Sequence, residues 1–183
     1  MKILSFCANG SEDAEFIITV DLLRRAKVDV SIVSVENESI YTSHNVQIKV
    51  DKMLKDMDKD ELMSYDGLFL PGGKVGVSNL IKSDKLISLI KDFYNCGKLV
   101  SAICAAPTVL AKANIMSNHK FTCYDGFESL IDGDYMKAMP YVIDSNIITG
   151  RSLNYTIDFA LAIIEYLLGK DERERVEKGI LKV

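Results

Sequence analysis

The feature that most constrains this chain is an end-to-end alternation of short β-branched apolar runs with amphipathic stretches of helical spacing. Residues 3–7 read as a buried strand, and Asn9-Gly10-Ser11 as the turn that follows. Ser11 is placed to cap a helix opened by Glu12 and Asp13, since acidic groups suit a helix N-terminus. Ala14, Ile17, Ile18, Asp21, Leu22 and Ala26 then carry helical periodicity. Residues 28–35 predict a second strand, and 46–50 a third that crosses near a sheet edge. Residues 68–70 predict a short buried strand ending at Pro71-Gly72-Gly73. A helix with Leu86, Ile87, Leu89, Ile90 and Phe93 on its buried side stops at Cys96-Gly97, and 98–103 is the next strand. Pro107 suits the first turn of a helix running to about residue 113. Residues 121–124 and 147–149 predict two more strands. A long apolar helix over 155–168 closes the pattern at Gly169, and Ile180-Leu181 in the charged tail are available to dock.

Strands separated by helices define an α/β chain, with a mostly parallel sheet covered on both faces. No Pro/Ser-rich linker, repeat or low-complexity segment interrupts the 183 residues. The expectation is one domain over 1–183.

Charge and cysteine usage exclude several classes. The net charge is −4 and no long basic block occurs, which argues against nucleic-acid and anionic-membrane partners. No apolar run approaches the roughly 20 residues that span a bilayer. The first residues read as a strand in preference to a secretory leader. Cys7, Cys96, Cys104 and Cys123 form no CxxC and no regular framework, so they read as reduced thiols of a cytoplasmic protein. Nothing calls for a metal or another cofactor.

In an open α/β sheet, ligands bind outside the carboxyl ends of the strands, which directs attention to the loops at 9–15, 71–76 and 104–107. Val100-Ser101-Ala102-Ile103-Cys104-Ala105-Ala106-Pro107 runs from strand to helix with a thiol at the corner, as in a nucleophile elbow. Small neighbours leave room for the turn, and a helix end behind it favours thiolate. The same cysteine reads equally as a small buried hydrophobe. Pro71-Gly72-Gly73 can offer backbone N–H groups to an oxyanion, or be a plain turn. It is not a P-loop, because Leu68 and Val75 occupy positions that need glycine and Ser or Thr. Glu15 falls between apolar Ala14 and Ile18. A carboxylate facing the sheet end there would tend to hold its proton, although the pattern also fits a solvated helix residue.

Together these segments resemble the ThiJ/PfpI superfamily, in the branch of the parkinsonism-associated protein. The matching stretches are Gly10-Ser11-Glu12-Asp13-Ala14-Glu15, Val20-Asp21-Leu22-Leu23-Arg24-Arg25-Ala26, Leu70-Pro71-Gly72-Gly73, Ala102-Ile103-Cys104-Ala105-Ala106-Pro107-Thr108 and Phe159-Ala160-Leu161-Ala162-Ile163. The resemblance implies a flavodoxin-like sandwich that dimerises. It makes Cys104 an oxidation-sensitive nucleophile and Glu15 its protonated partner. Gly72, Gly73 and Ala105 then surround the oxyanion, with Tyr124 and Arg151 beside the substrate. Two departures stand out. Relatives with glyoxalase activity carry histidine where this chain has Tyr124. The protease-like branch has histidine directly after the cysteine, where this chain has Ala105. His44 matches an arginine that relatives place near the partner subunit's site, so it is a candidate contribution across a dimer. His119, in Ser117-Asn118-His119-Lys120, reads as a solvated turn residue. In Ser152-Leu153 the chain departs from the family's Gly-Pro after the arginine.

The function this implies is cofactor-independent glyoxalase or deglycase-like chemistry on a small reactive carbonyl. The alternative is a redox sensor or chaperone-like protein with an oxidisable Cys104. A peptidase or amidase ranks last, for want of a histidine base beside the thiol.

Overall fold

The computed structural model describes residues 1–182. Its elements, in chain order, are β1 Lys2–Cys7, α1 Asp13–Arg25, β2 Asp29–Ser34, β3 Ser39–Tyr41, β4 Gln47–Lys49, β5 Lys52–Met53, α2 Lys59–Met63, β6 Gly67–Leu70, α3 Lys74–Ile81 and α4 Asp84–Asn95. They continue with β7 Leu99–Ile103, α5 Pro107–Lys112, β8 Lys120–Phe121, β9 Asp134–Tyr135, β10 Tyr141–Asp144, β11 Ile147–Gly150, α6 Thr156–Leu168 and α7 Lys170–Gly179. Seven strands form the main sheet in the order β10-β11-β7-β6-β1-β2-β5. Every neighbouring pair is parallel except β10 with β11. This is the mostly parallel sheet that the alternating pattern predicts, in the flavodoxin-like arrangement that the resemblance implies.

Side chains alternate between the two faces of each strand, so each central strand feeds two cores. On β1, Leu4 and Phe6 join the core under α3, α4 and α5, while Ile3 and Cys7 join the core under α1 and α6. Phe69, Ile103 and Ile148 extend the second core toward Phe16, Leu23, Phe159 and Ile163. Each such fully buried Leu, Ile or Phe contributes about 1.5–3 kcal/mol of burial free energy. The helix ends follow from local chemistry as well. Ser83 accepts from the Leu86 N–H at 3.3 Å to start α4, and Gly169, at φ 88°, ends α6 and turns the chain into α7. No helix among the described residues is long and apolar enough to cross a membrane.

Four sequence expectations are corrected. Residues 46–50 do not reach the main sheet, because β4 pairs with β3 in a separate antiparallel hairpin, Ile40 opposite Ile48. The strand expected over 121–124 stops at Phe121, and β8 pairs only with β9. Beyond it the N–H of Thr122 goes to Thr149 Oγ1 at 2.9 Å, and that of Tyr124 to the Cys104 carbonyl at 2.9 Å. Ser11 does not cap α1. Its Oγ accepts from the Ala8 N–H, and the Glu12 carboxylate caps the helix by accepting from the Glu15 N–H at 2.6 Å. In the tail Val176 and Ile180 pack on the core, whereas Leu181 is 87% exposed.

The strand order reverses at β1. The chain leaves β1 through α1 toward β2 on one side, and β6 lies on the other. This switch point brings the start of α1, the loop after β6 and the turn after β7 to one crevice at the carboxyl end of the sheet.

Candidate functional site

Cys104 is the first residue after β7 and has φ 64°, a left-handed conformation that costs a non-glycine residue about 1–3 kcal/mol. Neighbouring strands hold it there. Its N–H donates to the Gly150 carbonyl at 2.9 Å, its carbonyl accepts from Tyr124, and the Ala106 N–H closes the turn on Ile103 at 3.0 Å. The side chain is partly buried. α5 is only six residues long and begins three residues further on. The N–H groups that hydrogen-bond toward the sulfur therefore belong to Ala105 and to Gly73, the N-cap of α3, and not to the end of the helix behind the cysteine as the sequence suggested.

Glu15 lies in the first turn of α1 and is fully buried. Its Oε2 accepts from the Gly72 N–H at 2.9 Å, while Oε1 has no hydrogen-bond partner of ordinary geometry. Burial, reinforced by the nearby Glu12 charge, pushes its carboxyl up to about 7, against hydrogen bonds from the Cys104 thiol and backbone N–H groups. Burial, and then the charge and hydrogen bond of Glu15, push the Cys104 thiol up as well, while the N–H groups of Ala105 and Gly73 pull it down. The two acids compete for one proton. When Glu15 holds it, its charge no longer opposes the thiolate, and its O–H can donate to sulfur.

The glycines make this contact possible. A Cβ on Gly72 would stand 2.5 Å from Glu15 Oε2, 2.6 Å from Cys104 Cβ and 3.1 Å from Cys104 Sγ. Gly73, at φ 88°, packs against the backbone of 10–12, where a Cβ would meet the Glu12 nitrogen at 2.6 Å. Because the Gly72 N–H is taken by Glu15, the donors that face the sulfur are Gly73 and Ala105.

Tyr124 and Arg151 do not enter this pocket directly. They line an adjoining open cleft of about 420 Å³ with Asp125, Ser152, Asn154 and Tyr155. Arg151 Nη2 meets both Asp125 oxygens, at 3.1 and 3.2 Å, and its guanidinium lies 6.0 Å over the Tyr155 ring. The Tyr135 hydroxyl donates to Asp125 at 2.9 Å. No local pattern in the sequence singles out Asp125, Tyr135 or Tyr155, because three separate segments bring them together.

His44 sits in the turn between β3 and β4. Its Nδ1 pairs with Asp13 and lies 3.2 Å from Ser43 Oγ, and the ring is exposed. The hydrogen bond to Asp13 raises the imidazole; although burial opposes it, the same bond holds Asp13 below the usual carboxylate range. Glu12, Asp13 and His44 are the one group of potential metal donors that converges among the described residues, all within 4.8 Å. Asp13 and His44 are already paired with each other, and Glu12 caps α1. His119 is not a solvated turn residue. Its Nε2 lies 2.8 Å from the Tyr94 hydroxyl and its Nδ1 3.4 Å from Asp144, with only 15% of its side chain exposed.

Against known proteins, the sequence model described as the DJ-1/PfpI family matches residues 1–166. Protein dj-1beta of Drosophila melanogaster is 36% identical over 181 residues, covering 97% of this chain and 95% of that protein. The Parkinson disease protein 7 homolog of Danio rerio is 32% identical over 184 residues, covering 98% and 96%. The crystal structure of the Drosophila DJ-1beta superposes with a TM-score of 0.94 at 35% identity, covering all of this chain and 98% of that one.

Proposed function

The chain belongs to the DJ-1/PfpI family, and we propose that it converts small 2-oxo aldehydes such as methylglyoxal into 2-hydroxy acids without a cofactor. The observation that carries this reading is the fully buried Glu15 carboxyl beside the Cys104 thiol, both packed against the Cβ-free Gly72, with two backbone N–H groups turned to the sulfur. Cys104 sulfur adds to the aldehyde carbon and the oxygen takes up a proton, giving a hemithioacetal. The Glu15 carboxylate removes the hydrogen from that carbon and returns a proton to the neighbouring carbonyl carbon. The first carbon is thereby oxidised to a thioester and the second reduced to an alcohol. Water cleaves the thioester, releasing the hydroxy acid and the thiol, so the net change is addition of one water. Gly73 and Ala105 stabilise the oxyanion. Four free cysteines fit a reducing compartment, the cytoplasm, and the active form is a homodimer.

Lactate formation from methylglyoxal, lost in both Cys104→Ala and Glu15→Gln, is the expected result. Absence of lactate above the Cys104→Ala background refutes the enzymatic reading. A second reading draws on the unpartnered Glu15 Oε1 and the acid beside the thiol. Two molecules of hydrogen peroxide would oxidise Cys104 to a sulfinate, releasing two waters, and protonated Glu15 would donate to it. Mass spectrometry that finds no gain of two oxygens on Cys104 at stoichiometric peroxide removes that alternative.

A further inference from the structure

We propose that Glu12 is the positioning residue of the site: it fixes the Glu15 carboxyl against Cys104 and, by its own negative charge, keeps the proton on Glu15 and the charge on sulfur. This role rests on the reading of Glu15 and Cys104 as the reacting pair and adds the group that sets them.

Glu12 and Glu15 stand at the two ends of a capping box, in which the residue three past the cap returns its side chain to the cap residue's own N–H. Here one residue from another loop is inserted between them. The Glu15 N–H donates to Glu12 Oε2 at 2.6 Å, the Glu12 N–H donates to the Gly72 carbonyl at 3.0 Å, and the Gly72 N–H donates to Glu15 Oε2 at 2.9 Å. Three bonds thus close a ring through the start of α1 and the loop after β6. The ring passes beside the sulfur, since a Cβ on Gly72 would stand 3.1 Å from Cys104 Sγ. It occupies Glu15 Oε2 and leaves Oε1, buried and without a partner of ordinary geometry, as the oxygen that trades a proton with the thiol.

The titratable groups that face Glu15 are Glu12, on its own helix, and Cys104, at the turn after β7. Gly72 and Leu153, from the segments after β6 and β11, bring only N–H groups. Asp13 pairs with His44 instead. Burial comes first in raising Glu15, and the Glu12 charge adds to it. Around the sulfur burial again comes first, and the charge that follows is that of Glu15. Glu12 therefore penalises the form with Glu15 ionised more than the form with a thiolate. The singly ionised pair is tipped toward the nucleophile.

Glu12→Gln keeps an oxygen for the Glu15 N–H and removes the charge. Alkylation of Cys104 by iodoacetamide across pH reads the result. The midpoint near pH 7 should move down by roughly half a pH unit and the plateau should fall about threefold, the scale of one charge acting over several ångströms near water. Glu12→Asp restores the charge and is a good cap, so it should return both toward the parent values. Glu12→Ala should show the same changes together with a lower urea midpoint, because the cap is lost as well. Loss of a cap alone would move stability and leave the pH profile in place. A Glu12→Gln profile that overlays the parent's overturns the proposal, and so does a Glu12→Asp profile that stays with that of Glu12→Gln. Lactate formation from methylglyoxal should fall by the same factor in kcat/KM. If neither parent nor variant forms lactate, only the enzymatic reading falls, because the alkylation profile does not depend on turnover.

Discussion

Glu15 Oε2 and Cys104 Sγ lie 2.5 and 3.1 Å from the point where a side chain on Gly72 would begin. Acid and thiol therefore meet only because that position carries no Cβ. Gly72→Ala should push the Cys104 turn and α1 apart, costing about 1–3 kcal/mol, the usual range for overpacking. It should slow alkylation of Cys104 while leaving that of the exposed Cys96 as it was. A variant with parent-like stability and parent-like Cys104 labelling would show that the pocket is looser than these distances imply.

Sharing one proton gives Cys104 an unusual pH profile. Below about pH 7 the pair is fully protonated, and through that pH it loses its first proton. A constant fraction of the singly ionised pair carries its charge on sulfur, so alkylation of Cys104 should rise through about pH 7 and then level off. A free small-molecule thiol, with a midpoint of about 8.5, keeps gaining thiolate well above that pH. Iodoacetamide labelling of Cys104 should accordingly level off above pH 7 while that of glutathione in the same solution goes on rising. In Glu15→Gln the plateau should vanish, leaving a single titration. A plateau that survives the substitution assigns it to another group.

The same burial makes a stability prediction. Glu15 is raised from 4.5 to about 7 in the folded protein, so the native state keeps a proton that the unfolded chain releases. The Glu15 contribution to stability is then fully present below about pH 4.5, is lost as pH rises through about 7, and is constant beyond it. The loss is on the order of 3 kcal/mol at 1.36 kcal/mol per unit. Glu15→Gln escapes it. Urea denaturation should find the variant more stable than the parent at pH 8, with the advantage shrinking toward pH 4.5. A variant less stable at pH 8 would mean that the ionised carboxylate is better solvated than its burial indicates.

The central strands were legible because both faces of each are buried. Residues 3–7, 68–70, 98–103 and 147–149 agree with β1, β6, β7 and β11 to within a residue at each end. Edge elements were not. β5 and β9 are two residues each, and β10 leaves Ile143 exposed. Residues 121–124 look like a strand because Phe121 and Cys123 are both fully buried, yet their backbone bonds go to different partners. α3 escaped notice because Val75 is exposed and Gly76 interrupts the helical pattern. That glycine is needed, since a Cβ there would stand 2.5 Å from the Ser11 nitrogen. At the site, Cys104 and Glu15 each lie in a readable local motif. The Asp125–Arg151–Tyr155 arrangement depends on loop packing, which leaves no periodicity to read.

The dimer that the family resemblance implies is expected to form at an apolar cleft on α1. Phe16, Ile17, Val20, Ile32 and Ile48 line it, with Asp21 and Arg24 at the edge, and Ile17 is 46% exposed. Sedimentation at micromolar concentration should give twice the 20.4 kDa of the chain, and Ile17→Asp should shift it to monomer without loss of fold. A parent that sediments as a monomer removes both the dimer and any part for His44 in the partner's site.

The last prediction concerns Tyr124, at the edge of the site. The family resemblance implies a histidine at the position of Tyr124, whose backbone N–H is anchored to the Cys104 carbonyl at 2.9 Å. A phenol donates a hydrogen bond well but accepts a proton poorly at neutral pH. In the proposed reaction Glu15 must therefore both remove and return the migrating proton, and hydrolysis of the thioester would proceed without a base to activate water. Histidine titrates in the required range, and Tyr124, 51% exposed, has room for the exchange without disturbing a core. General acid–base assistance is worth about a hundredfold or more when its geometry is right. Tyr124→His should thus raise kcat for lactate formation by one to two orders of magnitude on that scale, with a new pH dependence near 6.5. Cys104→Ala made in the same background guards against contaminating glyoxalases. Equal rates in the parent and Tyr124→His, both above that control, would show that proton transfer by Glu15 alone already limits nothing. No lactate from either protein would leave Cys104 to the oxidation chemistry.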